Sequence, residues 1–205
     1  MKDSHQDEMT RIYNIHAEKY FSQVMDFEFP DGVFEIFLET LSGNKILDIG
    51  CGFGREITKL RKKGYEAYGI EISENMISYA DESIQKYITQ GDITKLETYY
   101  REKSFDGIIS CASIVHMDKV VGQEVLKKAF RLLNNNGVIF LSLKVATQEK
   151  TIFKNSLSIP GVGKKYVYHN EDDLENFLEN IGFEIIKKHS HTPIEDTWNI
   201  YICKK

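Results

Sequence analysis

The sequence predicts a doubly wound α/β fold on three observations. Short apolar runs alternate with amphipathic segments from Lys45 to Lys144, a glycine-rich loop joins the first run to the segment after it, and 205 residues suit a single domain. Hydrophobic residues make up 41% of the chain, enough for a core without disulfide or metal staples. The formal net charge of −5 offers no general attraction to nucleic acid or an anionic membrane, and neither is an expected partner. Met1-Lys2-Asp3-Ser4-His5 puts acid and polar residues where a signal peptide needs an apolar core, and no apolar run is long enough to span a bilayer, so a cytoplasmic location is expected. Cys51, Cys111 and Cys203 lie far apart without a CxxC pair; they read as small buried residues, and no metal site is expected.

The elements follow in order. Met9, Ile12, Tyr13, His16 and Tyr20 share one helical face, and Phe34, Phe37, Leu38 and Leu41 share another, with Asp31 as its cap and Gly43 as its end. Next come a strand Lys45 to Ile49, a helix Gly54 to Lys63 closed by Gly64, a strand Glu66 to Ile70, and a helix Glu74 to Ile84 capped by Ser73. A strand Lys86 to Thr89, a strand Phe105 to Cys111, a helix from about Val120 to Leu133 and a strand Val138 to Lys144 complete the alternation. Such alternation requires right-handed crossovers and a parallel sheet with helices on both faces. From Val145 to His169 the rhythm gives way to a loop-like stretch containing "SIPGVGKKYVYHN", longer than a connection needs and so expected to be a functional insertion. Asn170 then caps a helix with acids in its first turn, and strands Phe183 to Lys187 and Thr197 to Cys203 close the chain as an antiparallel pair. One domain results: cap helices over 1–42, a ligand-binding core over 43–144, the insertion over 145–169, and a final helix and strand pair over 170–205.

Gly50, Gly52 and Gly54 follow a strand and open a helix, where glycines let backbone amides come close to a ligand. A dinucleotide fingerprint would need glycine at position 55, but Arg55 stands there and the third glycine comes one residue early. No GK[ST] follows, which excludes a phosphate-binding P-loop. Asp48 at the mouth of the loop repels a pyrophosphate and welcomes a cationic amino group. Glu71, at the end of the second strand, is placed to accept hydrogen bonds from two ribose hydroxyls. Gly91-Asp92 follows the third strand, where an acid can receive an adenine amine between Ile72 and Ile93. The implied ligand is an adenosine with a cationic amino-acid end and no phosphates.

At this point the sequence resembles the class I S-adenosylmethionine-dependent methyltransferases. "LDIGCGFG", "GIEIS", "QGDI", "FDGIISCASIVHM" and "LLNNNGVIFLSLK" match that family's successive motifs in order over about Asn44 to Lys144; "NNNGV" stands where many members have a proline before the glycine. The resemblance implies a Rossmann-like, mainly parallel sheet of seven strands whose last strand is antiparallel, N-terminal cap helices, and S-adenosyl-L-methionine as cofactor with S-adenosyl-L-homocysteine as product. It places the methionine end near Asp48 and Gly50, the ribose on Glu71, adenine near Asp92 and Ile93, and Ser110 and Cys111 beneath the cofactor. Tyr20, Cys51, Gly52, Gly54, Arg55, Ile72, Met76 and Gly91 complete the expected contacts.

On the acceptor side, His116 follows the fourth core strand at its carboxyl end and is the expected general base, needed when the acceptor arrives protonated. Tyr13 and His16, on the helix that folds over the cofactor in small-molecule members, are expected to touch the acceptor. Lys144, Lys164, Lys165, Tyr166 and Tyr168 surround the insertion and add positive charge, so the acceptor is expected to be a small anionic molecule, with Lys144, Lys165 and Tyr166 in contact. His189 and His191 stay unassigned. The leading expectation is methyl transfer to oxygen or nitrogen of a small metabolite; the rivals are a protein or tRNA methyltransferase, a non-catalytic S-adenosylmethionine-binding module and, against the glycine spacing, a dehydrogenase. The sequence leaves both monomer and homodimer open.

Overall fold

The computed structural model describes residues 4–192 and 196–205; residues 1–3, on which part of the amino-terminal reading rests, and the side chains of residues 4–7 and of Asp31, the expected helix cap, lie outside the description. The strands are β1 (Lys45–Ile49), β2 (Glu66–Glu71), β3 (Ile88–Gln90), β4 (Phe105–Cys111), β5 (Leu133–Ala146), β6 (Lys150–Asn155), β7 (Gly163–Asn170), β8 (Glu184–His191) and β9 (Thr197–Lys204). The helices are α1 (Ser4–Ile15), α2 (Ala17–Val24), α3 (Val33–Thr40), α4 (Arg55–Lys62), α5 (Glu74–Ser78), α6 (Glu82–Gln85), α7 (Leu96–Tyr99), α8 (Lys119–Leu132) and α9 (Glu171–Asn180).

Strands β3-β2-β1-β4-β5 form the parallel part of the sheet, and β9 runs antiparallel to both β5 and β8. These seven strands are the sheet expected from the sequence, with the antiparallel final strand included. Strand order turns back between β1 and β4, so the loops after these two strands diverge and open a crevice at their carboxyl ends.

Period-2 side-chain alternation divides the core between the two faces. On β5, Val138 and Phe140 enter one cluster with Val33, Phe34 and Phe37 of α3 and Ile57 and Leu60 of α4; Ile139 and Leu141 enter the other with α8 and α9. On β9, Ile200 and Ile202 face the first cluster, and Tyr201 and Cys203 the second. Phe140 is fully buried and its ring meets those of Phe29, Phe34 and Phe37 at centroid distances of 4.8–5.7 Å.

The structure differs from the sequence reading in four places. The amino-terminal segment makes three helices, because the first amphipathic stretch divides at His16. The single helix expected from Glu74 to Ile84 is broken, since the Asp81 carboxylate accepts the Ser83 N–H (2.8 Å) and starts a new turn. The final strand pair is longer than expected and carries His189 and His191 within β8. The stretch from Val145 to His169 is largely a hairpin: β6 and β7 pair antiparallel from Lys150↔Tyr168 to Asn155↔Gly163, and β7 joins β5 at Val145↔His169 and Ala146↔Asn170. Tyr166-Val167-Tyr168 favour a strand, and the bend at Pro160-Gly161 turns the chain. Val145 also pairs with Thr197 of β9, so β7 occupies the other edge of β5 and continues the line of β4. The hairpin therefore rises over the end of β4, beside the crevice.

Helices α1 and α2 close the crevice from above. Met9 and Ile12 pack on Ile159 in the hairpin bend, and Ala17 packs on Phe53 and Met76. Polar straps reinforce this contact. Asn14 Oδ1 accepts from Ser73 Oγ (2.6 Å) and from the Asn75 N–H (3.3 Å), while Asn75 Nδ2 donates to the Asn14 carbonyl (2.8 Å). Among the described residues no helix is long and apolar enough to cross a membrane.

The packing of core and lid can be tested separately. Phe140→Ala leaves a cavity between α3 and the sheet and should lower unfolding free energy by about 3–5 kcal/mol in urea denaturation. Asn14→Ala removes two lid hydrogen bonds, worth roughly 1–2 kcal/mol together; hydrogen exchange of α1 and α2 should accelerate several-fold while the sheet stays protected, and uniform acceleration would refute the separate anchoring of the lid.

Candidate functional site

The crevice holds a cavity of about 800 Å³, walled by the ends of the strands, the hairpin and the lid. Its floor at one end is the glycine loop. Gly50, Gly52 and Gly54 have φ of 75°, 57° and 73°, in the left-handed region that suits glycine. Gly50 is doubly constrained, because a Cβ there would lie 2.4 Å from Ser113 Cβ. The Gly50 and Cys51 amides donate to the Ile70 carbonyl (2.8 and 3.2 Å), which ties the loop to β2. Ala112, just after β4, has φ of 54° without being glycine and lines the same cavity, a strained backbone of the kind found at binding sites.

Three acids surround this end. Asp48, Glu56 and Glu71 are 3%, 4% and 8% exposed and all line the cavity. Glu71 accepts the Gly52 and Ser73 N–H groups, each at 2.9 Å. Burial still raises its carboxyl above the usual range, against the pull of those amides. Burial, and then the nearby Glu56, push Asp48 well above the usual carboxylate range, while Arg55 opposes them. Arg55 donates to Glu56 (2.7 Å) and to the Val24 carbonyl (2.9 Å) and lies 4.8 Å from the centroid of the Phe27 ring, so its guanidinium fastens α2 to the loop. One guanidinium among three buried carboxylates leaves this end short of positive charge.

At the other end the charge is reversed. Lys144, Lys154 and Lys164 line the cavity together with Asp196, Tyr166 and Trp198. Asp196 accepts from Lys144 and Lys154 on one oxygen and from Tyr168 (2.6 Å) on the other. Burial acts to raise the Asp196 carboxyl, but these three donors outweigh it and hold it at about 2. The Lys144 ammonium also lies 4.1 Å from the Tyr166 ring centroid and 4.9 Å from that of Trp198. Lys164, 2% exposed, donates to Tyr13 Oη (3.0 Å) and Ser158 Oγ (3.1 Å).

His116 sits between the ends, in a 3₁₀ turn over Ile114–His116. Nδ1 faces the Lys165 carbonyl at 2.7 Å and Nε2 faces Tyr13 Oη at 3.1 Å. A carbonyl only accepts, so the proton of the neutral ring is on Nδ1 and Nε2 accepts from Tyr13. Burial, with Lys164 and Lys144 nearby, lowers His116 to about 3. Both ring nitrogens are occupied and protonation is disfavoured, so the geometry gives His116 the task of holding the lid tyrosine; it does not present the free basic nitrogen expected of a general base.

Of the expected cofactor contacts, Tyr20, Asp48, Gly50, Cys51, Gly52, Arg55, Glu71, Ile72, Met76, Ile93 and Cys111 line the cavity. Gly54, Gly91, Asp92 and Ser110 lie outside its lining. Gly54 packs its Cα against Ile84, and Gly91 packs against the Tyr99 ring. Asp92 accepts from the N–H and hydroxyl of Thr94 (both 2.8 Å), which shapes the turn that presents Ile93. Ser110 Oγ meets Ser113 Oγ at 3.0 Å. Among the expected acceptor contacts, Tyr13, Lys144 and Tyr166 line the cavity, and His16 and Lys165 do not. Lys165 turns away to Asp118 (2.6 Å), because the pleat of β7 puts 164 and 166 on one face and 165 on the other. Sequence reasoning missed Glu56, Lys154, Asp196 and Trp198. The alternation of Lys164 with Tyr166 carries a signal once that segment is read as a strand, and Asp196 stands just before β9, two residues from Trp198. Among the described residues no group of three histidine, cysteine or acidic side chains could hold a metal ion.

The family model described as "Methyltransferase domain" matches residues 47–141, from β1 into β5. Putative methyltransferase YqeM of Bacillus subtilis is 26% identical over 118 residues, which is 55% of this chain and 47% of that protein. Phosphoethanolamine N-methyltransferase 1 of Zea mays is 30% identical over 168 residues, 78% of this chain and 31% of that one. The chain thus spans half or less of the length of these curated relatives. The crystal structure of magnesium protoporphyrin IX methyltransferase from Synechocystis, with S-adenosylmethionine bound, superposes with a TM-score of 0.73 at 16% identity over 99% of this chain and 98% of that one, which establishes the shared fold. With the glycine loop closing β1, the acid ending β2 and the antiparallel β9 beside β5, the chain carries a methyltransferase domain over residues 47–141 and shares the fold of an S-adenosylmethionine-bound methyltransferase.

Proposed function

We propose that the protein moves the methyl group of S-adenosylmethionine to an oxygen or nitrogen of a small anionic acceptor. The observation that carries this reading is the opposed charge of the two cavity ends: three carboxylates, Asp48, Glu56 and Glu71, with one guanidinium at the first, and two ammoniums, Lys144 and Lys154, beside the amine of Lys164 and one carboxylate, Asp196, at the second. The cofactor, when bound, supplies a methyl group made electrophilic by a sulfonium.

The residues present suit that molecule. Asp48 and Glu71 are desolvated acids whose ionised forms gain from a nearby cation, so a positively charged ligand relieves a cost already built into the fold. The bare backbone at Gly50 and Gly52 admits the ligand's chain, and Ile72, Met76 and Ile93 offer apolar surface to an aromatic base. Tyr13 and Tyr20 of the lid close the site over these groups and exclude water. Alignment of two reactants in such an enclosure is worth roughly 7–11 kcal/mol. The acceptor end offers a net positive wall with aromatic rings, which orients an anion and keeps its nucleophilic atom toward the glycine loop. Enclosure by the lid favours a small acceptor over a folded protein or an RNA.

Calorimetric titration with S-adenosylmethionine, S-adenosylhomocysteine and NADH tests the reading: the two adenosyl ligands should bind and NADH should not. Asp48→Ala and Glu71→Ala should each weaken S-adenosylmethionine by about 10–100-fold, the effect of losing a charged hydrogen-bond partner. Unchanged affinity in variants that keep the wild-type circular dichroism would refute the assignment.

A further inference from the structure

We propose that Lys164 is the group that takes the proton from the acceptor as the methyl group is transferred. This rests on the methyl-transfer reading above and names the proton acceptor in it. Lys164 differs from the other two cavity lysines in its partners. Lys144 and Lys154 are paired with Asp196, whereas Lys164 has no carboxylate within salt-bridge distance among the described residues. Its two close partners, Tyr13 Oη and Ser158 Oγ, both receive its hydrogens. An amine nitrogen is tetrahedral, so these two bonds leave one further direction, and the residue lines the cavity.

The surroundings favour the neutral amine. Tyr13 from α1, Tyr20 from α2, His116 from the 3₁₀ turn, Lys144 from β5, Lys154 opposite on β6 and Tyr166 on its own strand face Lys164, and none of them is an acid. Burial, and then the Lys144 charge, lower Lys164 to about 7. The alternatives nearby are disfavoured. The His116 lone pair is spent on Tyr13, and burial raises the Tyr13 phenol well above its ordinary value.

The step balances simply. The acceptor's O–H or N–H proton passes to the lone pair of Nζ, which becomes an ammonium. The freed pair on the acceptor atom forms the bond to the methyl carbon, and the carbon–sulfur bond breaks with its electrons left on sulfur. The sulfonium charge disappears as the ammonium charge appears. The ammonium returns its proton to water when the lid opens.

The first test needs no acceptor. The full chain, carrying lysine labelled with carbon-13 at Cε and saturated with S-adenosylhomocysteine, is titrated by NMR, and the Lys164 signal is identified by its loss in Lys164→Met. If that variant does not fold, Ser158→Ala and Tyr13→Phe identify the signal by shifting it. Lys164 should titrate with a midpoint near 7 while exposed lysines stay protonated through pH 9; a Lys164 that also stays protonated through pH 9 overturns the proposal. The second test uses an acceptor returned by a screen of small anionic amines and hydroxy acids. The wild-type kcat should rise with pH through the same midpoint, because the base must be neutral, and Lys164→Arg should lower kcat about 10²–10⁴-fold with KM little changed. Unimpaired kcat in Lys164→Arg would reduce the residue to an anion-binding cation and overturn the base role. Failure of S-adenosylhomocysteine to bind, seen by calorimetry, removes methyl transfer itself and is distinguishable from any result of the lysine titration.

Discussion

A charge taken out of water must be compensated, and the cavity is organised around that constraint. Asp48, Glu71, Lys144 and Lys164 are each less than a tenth exposed. Their partners inside the protein compensate them only in part. At the glycine loop, Arg55 answers Glu56 and two amides answer Glu71, but Asp48 gains little. Under the hairpin, Asp196 answers Lys144 and Lys154, while Lys164 meets only hydroxyls. Partial compensation of opposite sign at the two ends carries a desolvation cost that a fully apolar lining would not. The same imbalance is recovered when a ligand positive at one end meets another negative at the far end.

The fold delivers these groups through the ends of its strands. Asp48 and Glu71 stand at or near the carboxyl ends of β1 and β2, and Lys144 stands near that of β5. The hairpin depends on β5 running past its neighbour: β4 pairs only as far as Ser142, and β7 takes up the vacated edge at Val145 and Ala146. The lid depends in turn on the hairpin, since Met9 and Ile12 pack on Ile159, Lys19 donates to the Pro160 carbonyl and Tyr13 reaches His116 and Lys164. The last layer added is held by the fewest apolar contacts, which makes it the layer most able to open for a ligand.

The parts of this arrangement legible in the sequence are those set by local chemistry. Gly50, Gly52 and Gly54 mark a backbone that needs positive φ whatever surrounds it, and the acids at 48 and 71 sit at strand ends fixed by short apolar runs. The helix break at Asp81 is hidden because Met76, Ala80 and Ile84, spaced four apart and all buried, fit a continuous amphipathic helix as well as a broken one. The hairpin is hidden for another reason. With one strand anchored to the sheet by only two residue pairs, its alternation is short, and lysines at 164 and 165 blur the difference between inward and outward positions. Preferring Lys165 to Lys164 is an error of parity: a strand puts neighbours on opposite faces, whereas a loop carries no such rule.

The same parity decides how protons are shared around Tyr13. Its hydroxyl lies between two basic groups, the imidazole of His116 and the amine of Lys164, and it accepts from one while donating to the other. Two positive charges on either side of one buried hydroxyl would repel each other with little water to screen them, so at most one of the pair carries the extra proton. Burial settles against the imidazole, and the Lys165 carbonyl fixes which tautomer the neutral ring adopts. By facing Nδ1 it keeps the ring's only proton on that side, and the lone pair at Nε2 is taken up by Tyr13. Burial, with the charges of Lys164 and Lys144, thus keeps His116 neutral against the pull of the Lys165 carbonyl, and the side chain of Lys164 is left to gain and lose the proton. Moving either by one position along the strand would turn the carbonyl to the other edge or the amine to the other face, and the relation between them would be lost.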